Sequence, residues 1–358
     1  MPIPNKAQLR SLWLKVHKWL GLTPAVPVLL IFLSGSALVW KDGVEALLHP
    51  PSQVDGAPSD DPTSYAAAAE RQLTTGEAIA SISYPNGEGP VLVAVAKEGA
   101  PQRTRYFLHP STKVLEPVAS GRVMGWLHGL HASLLLPWVG GRIVGCISIL
   151  LLFSALSGLW LWWPVKGNLL RGLRWGRTQS TNANIHHQVG FWTAAPLVVL
   201  SFTAASMAFP VFFSSALRET AALQQEWARA SAPPIATPRL TFQQALVTSG
   251  FRPGAQLRSA KWPTTMDDRW RIVFADTGGD HAIGVDDGTG RSGPIKDPES
   301  AMRLMERIHI GTEMPFAWQL IIFVTGLAGP ILGITGVIIW LRSRSRENEM
   351  RARRAKRA

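Results

Sequence analysis

Charge disappears from this chain in four long windows. No Asp, Glu, Lys or Arg occurs from Trp19 to Trp40, Ile143 to Trp163, Gln188 to Leu217 or Met314 to Leu341. A helix needs roughly 20 apolar residues to cross the hydrocarbon core, so the pattern predicts four transmembrane helices. Between them the pattern changes. Residues 50–62 are rich in Pro, Ser and Asp and form a linker. An Ala-rich stretch from Tyr65 to Leu73 is predicted helical, and strands are predicted at Ala80–Tyr84, Val91–Lys97 and Arg103–Leu108, with a further strand to Val118 after a turn at His109–Lys113. The second intervening segment repeats the order, with a helix at Leu240–Val247 and strands at Leu257–Trp262, Arg269–Ala275 and His281–Val285. Its turn is Asp286-Asp-Gly-Thr-Gly290, where glycine supplies positive φ.

The chain also matches itself. His131/His309, Pro137/Pro315, Trp138/Phe316, Ser157/Thr335, Gly158/Gly336 and Trp162/Trp340 are all 178 positions apart. His17/His186, Gly21/Gly190, Pro27/Pro196, Ser34/Thr203 and Trp40/Phe209 are 169 apart. One unit, with a histidine leading each apolar helix, has been duplicated. The nine-residue difference places an insertion early in the second intervening segment, around Gln224 to Pro238. Two copies in the same orientation imply a pseudo-two-fold axis along the membrane normal.

Charge gives the orientation. The N-terminus (Lys6, Arg10, Lys15, Lys18), the segment after the second window (Lys166, Arg171, Arg174, Arg177) and the tail after Leu341 hold 16 of the 36 basic residues and two of the 24 acids. Their net charge is +14 and that of the remainder is −2, so the whole excess of +12 lies on one face. This is the positive-inside pattern, with both termini cytoplasmic, and it accounts for the basic tail without nucleic acid. The first window is too long for a signal-peptide core and no Ala-x-Ala follows it, so an anchor is expected. Many of the 15 Trp residues stand at window ends, as in an interfacial aromatic belt. The single Cys146 provides neither a disulfide framework nor a thiolate metal site.

The expected fold is an α-helical membrane protein of four transmembrane helices in two tandem parallel repeats, each carrying a small outer α+β domain. Its boundaries are a cytoplasmic N-terminus (1–18), a span (19–40), an outer domain (41–122), an amphipathic helix leading into the membrane (123–141), a span (142–163), a cytoplasmic loop (164–187), a span (188–217), a second outer domain (218–305), a short lead-in (306–313), a span (314–341) and a basic tail (342–358).

Ionisable groups at membrane depth point to function. Two-fold symmetry pairs His17 with His186 at the cytoplasmic end and His131 with His309 at the outer end. A lone histidine at a helix end is more often a hydrogen-bonded interfacial side chain; matched pairs favour imidazole-binding metals. Tetrahedral zinc wants four ligands in one place, whereas these divide into two twos. Two axial nitrogens suit a b-type haem, and no Cys-x-x-Cys-His exists for covalent attachment. Small residues (Gly21, Gly35, Gly158, Ala204, Gly336) leave room beside a flat macrocycle, or simply allow close helix packing. His128 shares a helical face with His131, and His187 neighbours His186; both are alternative ligands or supporting groups. His49, His109 and His281 fall outside the pairing, as surface or strand residues. A straight helix from His131 to Trp163 would rise about 48 Å, too far for electrons to pass between two centres. Pro137, Gly140 and Gly141 therefore mark an expected bend that folds residues 123–136 back.

The motifs His-Lys-Trp-Leu-Gly-Leu at 17–22, Leu-His-Ala-Ser-Leu-Leu-Leu at 130–136, Ser-Gly-Leu-Trp-Leu-Trp-Trp-Pro at 157–164, His-His-Gln-Val-Gly-Phe-Trp at 186–192 and Thr-Gly-Val-Ile-Ile-Trp-Leu at 335–341 resemble the PepSY-associated transmembrane family. The resemblance covers all four windows and, more loosely, both outer domains as PepSY-like domains. Its first PepSY-like turn departs from the family's Asp-x-x-Thr-Gly form, with His109 and Lys113. Similar members include FoxB-type inner-membrane ferrisiderophore reductases. The resemblance implies two bis-His haem b groups, a periplasmic ferric siderophore as substrate, and oxidoreductase activity releasing Fe(II) in the bacterial inner membrane. No Gly-x-Gly-x-x-Gly follows a strand, so electrons are expected from a cytoplasmic partner, a soluble carrier or a quinol. Two other readings are a non-catalytic PepSY module that binds peptides or restrains a protease, and an iron or siderophore permease. Matched intramembrane histidines argue against the first, and apolar helix centres (Val28–Leu33, Ile149–Phe153) against the second.

Overall fold

The computed structural model describes residues 5–41, 44, 61–85, 87, 89–98, 103–118, 122–163, 174–176, 178–295, 300–312 and 314–356. The linker at 50–60, His49, Lys166, Arg171, Arg177 and Arg357 lie outside the described residues. The chain forms two units, one of Met1–Val44, Val123–Glu219 and Ser300–Ala358, the other of Glu45–Arg122 and Thr220–Glu299.

The first unit is helical. It comprises α1 (Lys6–Leu22), α2 (Ala25–Val39), α4 (Arg122–Ser133), α5 (Gly140–Trp162), α6 (Thr181–Ala208), α7 (Pro210–Ala216), α10 (Ala301–Ile310) and α11 (Phe316–Ala355), numbered with the helices α3 (Thr63–Glu70), α8 (Thr220–Ser231) and α9 (Phe242–Thr248) of the second unit. Among the described residues three helices, α5, α6 and α11, are long and apolar enough to cross a membrane, and α1 with α2 forms a fourth candidate if that bent pair is one span.

Three of the charge-free windows differ from the helices they predict. The first is broken by 62° between α1 and α2, because Pro24 has no N–H to donate and its ring crowds the carbonyl four residues back. The third begins earlier, at Thr181, and its helix stops at Ala208; Phe209, forced out of the α region by Pro210 (φ −125°, ψ 56°), separates α6 from α7. Its first residues thus place His186 and His187 inside the helix rather than in the loop before it. The fourth continues past Leu341 as one 40-residue helix through the basic tail.

The chain reverses in the stretch where Pro137, Gly140 and Gly141 mark the expected bend, and the lead-in helix ends at Ser133, short of 141. α4 ends at Ser133, Leu134 and Leu135 take positive φ (51° and 58°), and Trp138 does so again (64°) before α5 starts at Gly140. Gly140 lies against Ser133 so closely that any Cβ would collide with its backbone. At the equivalent corner, Gly311 closes α10 in the left-handed conformation (φ 81°) and Pro315 starts α11. α5 packs on α6 and α1, while α11 packs on α2, α6 and α1. Gly326 and Gly329 bring α11 against Ser36 and Phe32 of α2 with no room for a side chain.

The second unit contains one eight-stranded antiparallel sheet rather than two separate sheets. The strands are β1 (Glu77–Ser83), β2 (Val91–Lys97), β3 (Thr104–Leu108), β4 (Leu115–Pro117), β5 (Gln256–Lys261), β6 (Arg269–Asp276), β7 (Gly279–Asp286) and β8 (Ser292–Pro294), in the order β4-β3-β2-β1-β5-β6-β7-β8. The repeats meet at β1 and β5 through Ser81↔Lys261, Ile82↔Ala260 and Ser83↔Ser259. That pairing removes two open edges. Register shifts at Ile79/Ser81 and Leu257/Ser259 repeat at 178 residues. The inward sets Val91, Val93, Val95 and Trp270, Ile272, Phe274 alternate at period two. They share one core with Tyr65 of α3 and Phe242 and Leu246 of α9.

Candidate functional site

The bend after α4 carries His131 back beside α2, where its Nδ1 lies 2.8 Å from the carbonyl oxygen of Ile31. A carbonyl only accepts, so Nδ1 holds the proton and Nε2 keeps its lone pair. The equivalent His309 on α10 uses the carbonyl of Leu200 (3.1 Å) and the hydroxyl of Thr203 (3.0 Å) on α6. Ile31 and Leu200 are 169 residues apart, as the repeat requires.

At the other end, His17 Nδ1 lies 3.0 Å from the carbonyl of Ser154 and 3.1 Å from Ser157 Oγ on α5. His186 Nδ1 lies 3.0 Å from Thr335 Oγ1 on α11. The hydroxyls of Ser157, Thr335 and Thr203 donate to carbonyls of their own helices (Ser154, Ile331 and Val199), which leaves them as acceptors for the imidazole N–H. All four histidines therefore adopt one tautomer, protonated at Nδ1, by the device that orients metal-ligating imidazoles.

The rings form two facing couples. Centroids are 6.3 Å apart for His17 and His186 and 6.1 Å apart for His131 and His309, with interplanar angles of 74° and 40°. Iron ligated on both sides at about 2 Å from each nitrogen holds ring centroids roughly 6 Å apart. The spacing, and Nε2 atoms without a hydrogen-bond partner among the described residues, fit a bis-imidazole centre. Among the described residues no three His, Cys, Asp or Glu side chains converge in a metal-binding group. From His186 to Leu200, which holds the other couple, is fourteen residues of one helix, about 21 Å. The folded-back α4 thus shortens the path that a straight chain would have made too long.

Glycines leave room for these rings. A Cβ at Gly158 would stand 2.9 Å from His17 Cε1, and one at Gly35 would stand 2.7 Å from His131 Cε1. The Gly336 position is looser, 3.5 Å from His186 Cε1. Beside the first couple a cavity of about 380 Å³ is lined by His17, His186, Gly21, Phe32, Trp162 and Gly336. This lies within the range of about 300–1,000 Å³ of small-molecule and cofactor pockets. Trp162 stacks on Phe191 at 4.0 Å along its wall.

His187 lines that cavity too, whereas the His128 side chain is exposed. His109 contacts Glu116 at 2.8 Å and His281 contacts Asp276 at 2.9 Å, both in the sheet unit. The two turns differ as their sequences do. Lys113 reaches Ser64 Oγ at 2.7 Å and lies 5.0 Å over the Tyr65 ring. Asp286 accepts from Thr289, and buried Asp287 accepts from the backbone N–H of Arg239 and Leu240 and from the Trp270 indole.

Sequence reasoning missed the carbonyls of Ser154, Ile31 and Leu200 and the roles of Ser157, Thr203 and Thr335. The repeat register had already paired Ser157 with Thr335 and Ser34 with Thr203, which was the available signal. It also missed Lys18, which lines the cavity, and Arg10, whose guanidinium reaches the Leu161 and Trp163 carbonyls at the end of α5.

The fold and site define a membrane-type helical protein with two imidazole couples and an antiparallel α+β unit. The chain belongs to the PepSY-associated TM region family, whose model matches residues 14–343. No curated protein matches it.

Proposed function

We propose that this chain is an inner-membrane di-haem b reductase that passes electrons across the bilayer to a periplasmic ferric siderophore and releases Fe(II). The single observation that carries the reading is the common state of four histidines, each fixed at Nδ1 by a neighbouring helix and each facing its repeat partner at bis-imidazole spacing. In this reading α1 with α2, α5, α6 and α11 are four spans, both termini are cytoplasmic, and the sheet unit is periplasmic.

His17 and His186 would hold one haem and His131 and His309 the other. Each bound haem supplies a reversible one-electron iron centre. The protein's part is to orient. Carbonyls and hydroxyls fix the tautomer, Gly158 and Gly35 let the rings sit against the helices, and apolar side chains such as Leu22, Phe32 and Trp162 wall much of the cavity. Lys18, at the cavity lining, places a positive charge where an acidic cofactor edge would need one. The resemblance to FoxB-type reductases supports the siderophore as substrate: reduction weakens the hold of hard oxygen donors on iron, so the chelator lets go.

A visible spectrum of the purified protein tests this. A Soret band that shifts on dithionite and is restored by a ferric hydroxamate supports the reductase; a colourless protein ends it. A colourless protein whose sheet unit captures peptide would favour the peptide-binding module.

A further inference from the structure

The end of α11 is longer than an anchor requires. Beyond Leu341 it continues without Gly or Pro to Ala355, carrying Arg342, Arg344, Arg346, Arg351, Arg353 and Arg354, all exposed, with Lys356 at its cap. Glu347 and Glu349 stand four residues before Arg351 and Arg353, the spacing and order that best support an exposed helix. One headgroup layer is about 5–8 Å thick. For a helix that leaves the hydrocarbon at Leu341 along the membrane normal, rising about 1.5 Å per residue, Arg342 to Arg346 fall within that layer, whereas Arg351 to Lys356 stand about 15–22 Å from the hydrocarbon edge. The first three serve as positive-inside anchors; the outer four are too far out for headgroups. The projecting part of the helix also begins at the cavity. Trp340 and Ser343 line it, and the Arg344 guanidinium lies 5.6 Å over the Trp340 ring.

We infer that Arg351, Arg353, Arg354 and Lys356 form a docking element for a soluble acidic redox protein, which delivers electrons to the His17/His186 end. This rests on the reductase reading and names its donor class. In each encounter one electron leaves the reduced donor, which is oxidised, and arrives at the centre held by His17 and His186, which is reduced; no bond forms or breaks. Positive charge on a projecting helix steers an acidic partner and makes association fall with salt.

The test uses the full chain in nanodiscs of neutral lipid, with an acidic flavodoxin as probe. Binding followed by interferometry is expected to weaken at least about tenfold when salt rises from about 50 to about 500 mM. The triple variant Arg351→Glu, Arg353→Glu, Arg354→Glu should lose it to a similar degree. In stopped flow, the variant's haem should be reduced more slowly by flavodoxin and at an unchanged rate by dithionite. Absent or charge-independent binding overturns the inference. So does a fluorophore at Ala352→Cys, in a Cys146→Ala background, that is quenched by spin-labelled headgroups, since the helix then lies on lipid. Charge-dependent binding by a protein without a Soret band would overturn the reductase and, with it, the delivery role, whereas a Soret band with charge-independent binding overturns docking alone.

Discussion

The two halves of the molecule reach the same histidine geometry through different chain paths. In the first half Pro24 breaks the leading helix, and His17 stands before the break while Ile31 stands after it. In the second half His186 and Leu200 share one unbroken α6, although Pro196, the counterpart of Pro27, lies inside it. Thr193 occupies the position of Pro24 and donates to the Val189 carbonyl within the helix. The break therefore comes from Pro24 and not from the proline the halves have in common. What both halves keep is narrower: histidines whose Nδ1 is held by a carbonyl or a hydroxyl of a neighbouring helix. The shared part is what orients an imidazole. The divergent part is the route between imidazoles.

The most severe way to break the comparison is to remove a ring. His17→Ala and His309→Ala should each cost about half the haem and nearly all chelate reduction, measured by pyridine haemochrome and by Fe(II) trapping. Full haem content in both would remove these residues as ligands. Glycine substitution sharpens the contrast within one couple. Gly158→Val should push His17 aside and lose that haem, because even a Cβ there stands 2.9 Å from the ring. Gly336→Ala, at ordinary contact distance from His186 (3.5 Å), should keep it. Equal loss in both spectra would show that the two positions are not distinct.

The halves also differ in the sheet, where buried Asp287 has His109 as its counterpart at an offset of 178. Burial pushes the Asp287 carboxyl up, but hydrogen bonds from Arg239, Leu240 and Trp270 outweigh it and hold the group below the usual carboxylate range. Its stabilising contribution is therefore full above about pH 4 and fades as pH falls through the lower folded value. Asp287→Asn should cost about 2 kcal/mol, seen as earlier loss of near-ultraviolet Trp signal on heating, with His109→Asn nearly silent. The smallest effect is expected from Ser157→Ala. It removes one acceptor from His17 Nδ1 but leaves the Ser154 carbonyl, so haem affinity should fall by no more than about tenfold, read by competition with apomyoglobin.

Much of this was legible in the chain. The charge-free windows located the apolar helices because a membrane core tolerates little else. Duplication made His17, His186, His131 and His309 stand out, since a register without gaps survives only where each residue has an equivalent place. Alternation in Val91–Lys97 and Arg269–Ala275 gave the strands. The joining of two expected domains into one sheet was not legible, because β1 and β5 pair across 178 residues and nothing local marks that contact. The helix break was half legible: Pro24 and Pro27 lie three residues apart, and only packing decides which one bends the chain.

The sequence by itself determined the apolar spans, the repeat and which histidines are equivalent, because each depends on residue type and spacing along one chain. Tertiary structure alone decided which nitrogen of each ring carries the proton, and it set how near the two couples lie where the sequence pointed only to a bend. Both follow from carbonyls on other helices and from the reversal after Ser133, and backbone groups that every residue possesses leave no mark in a sequence.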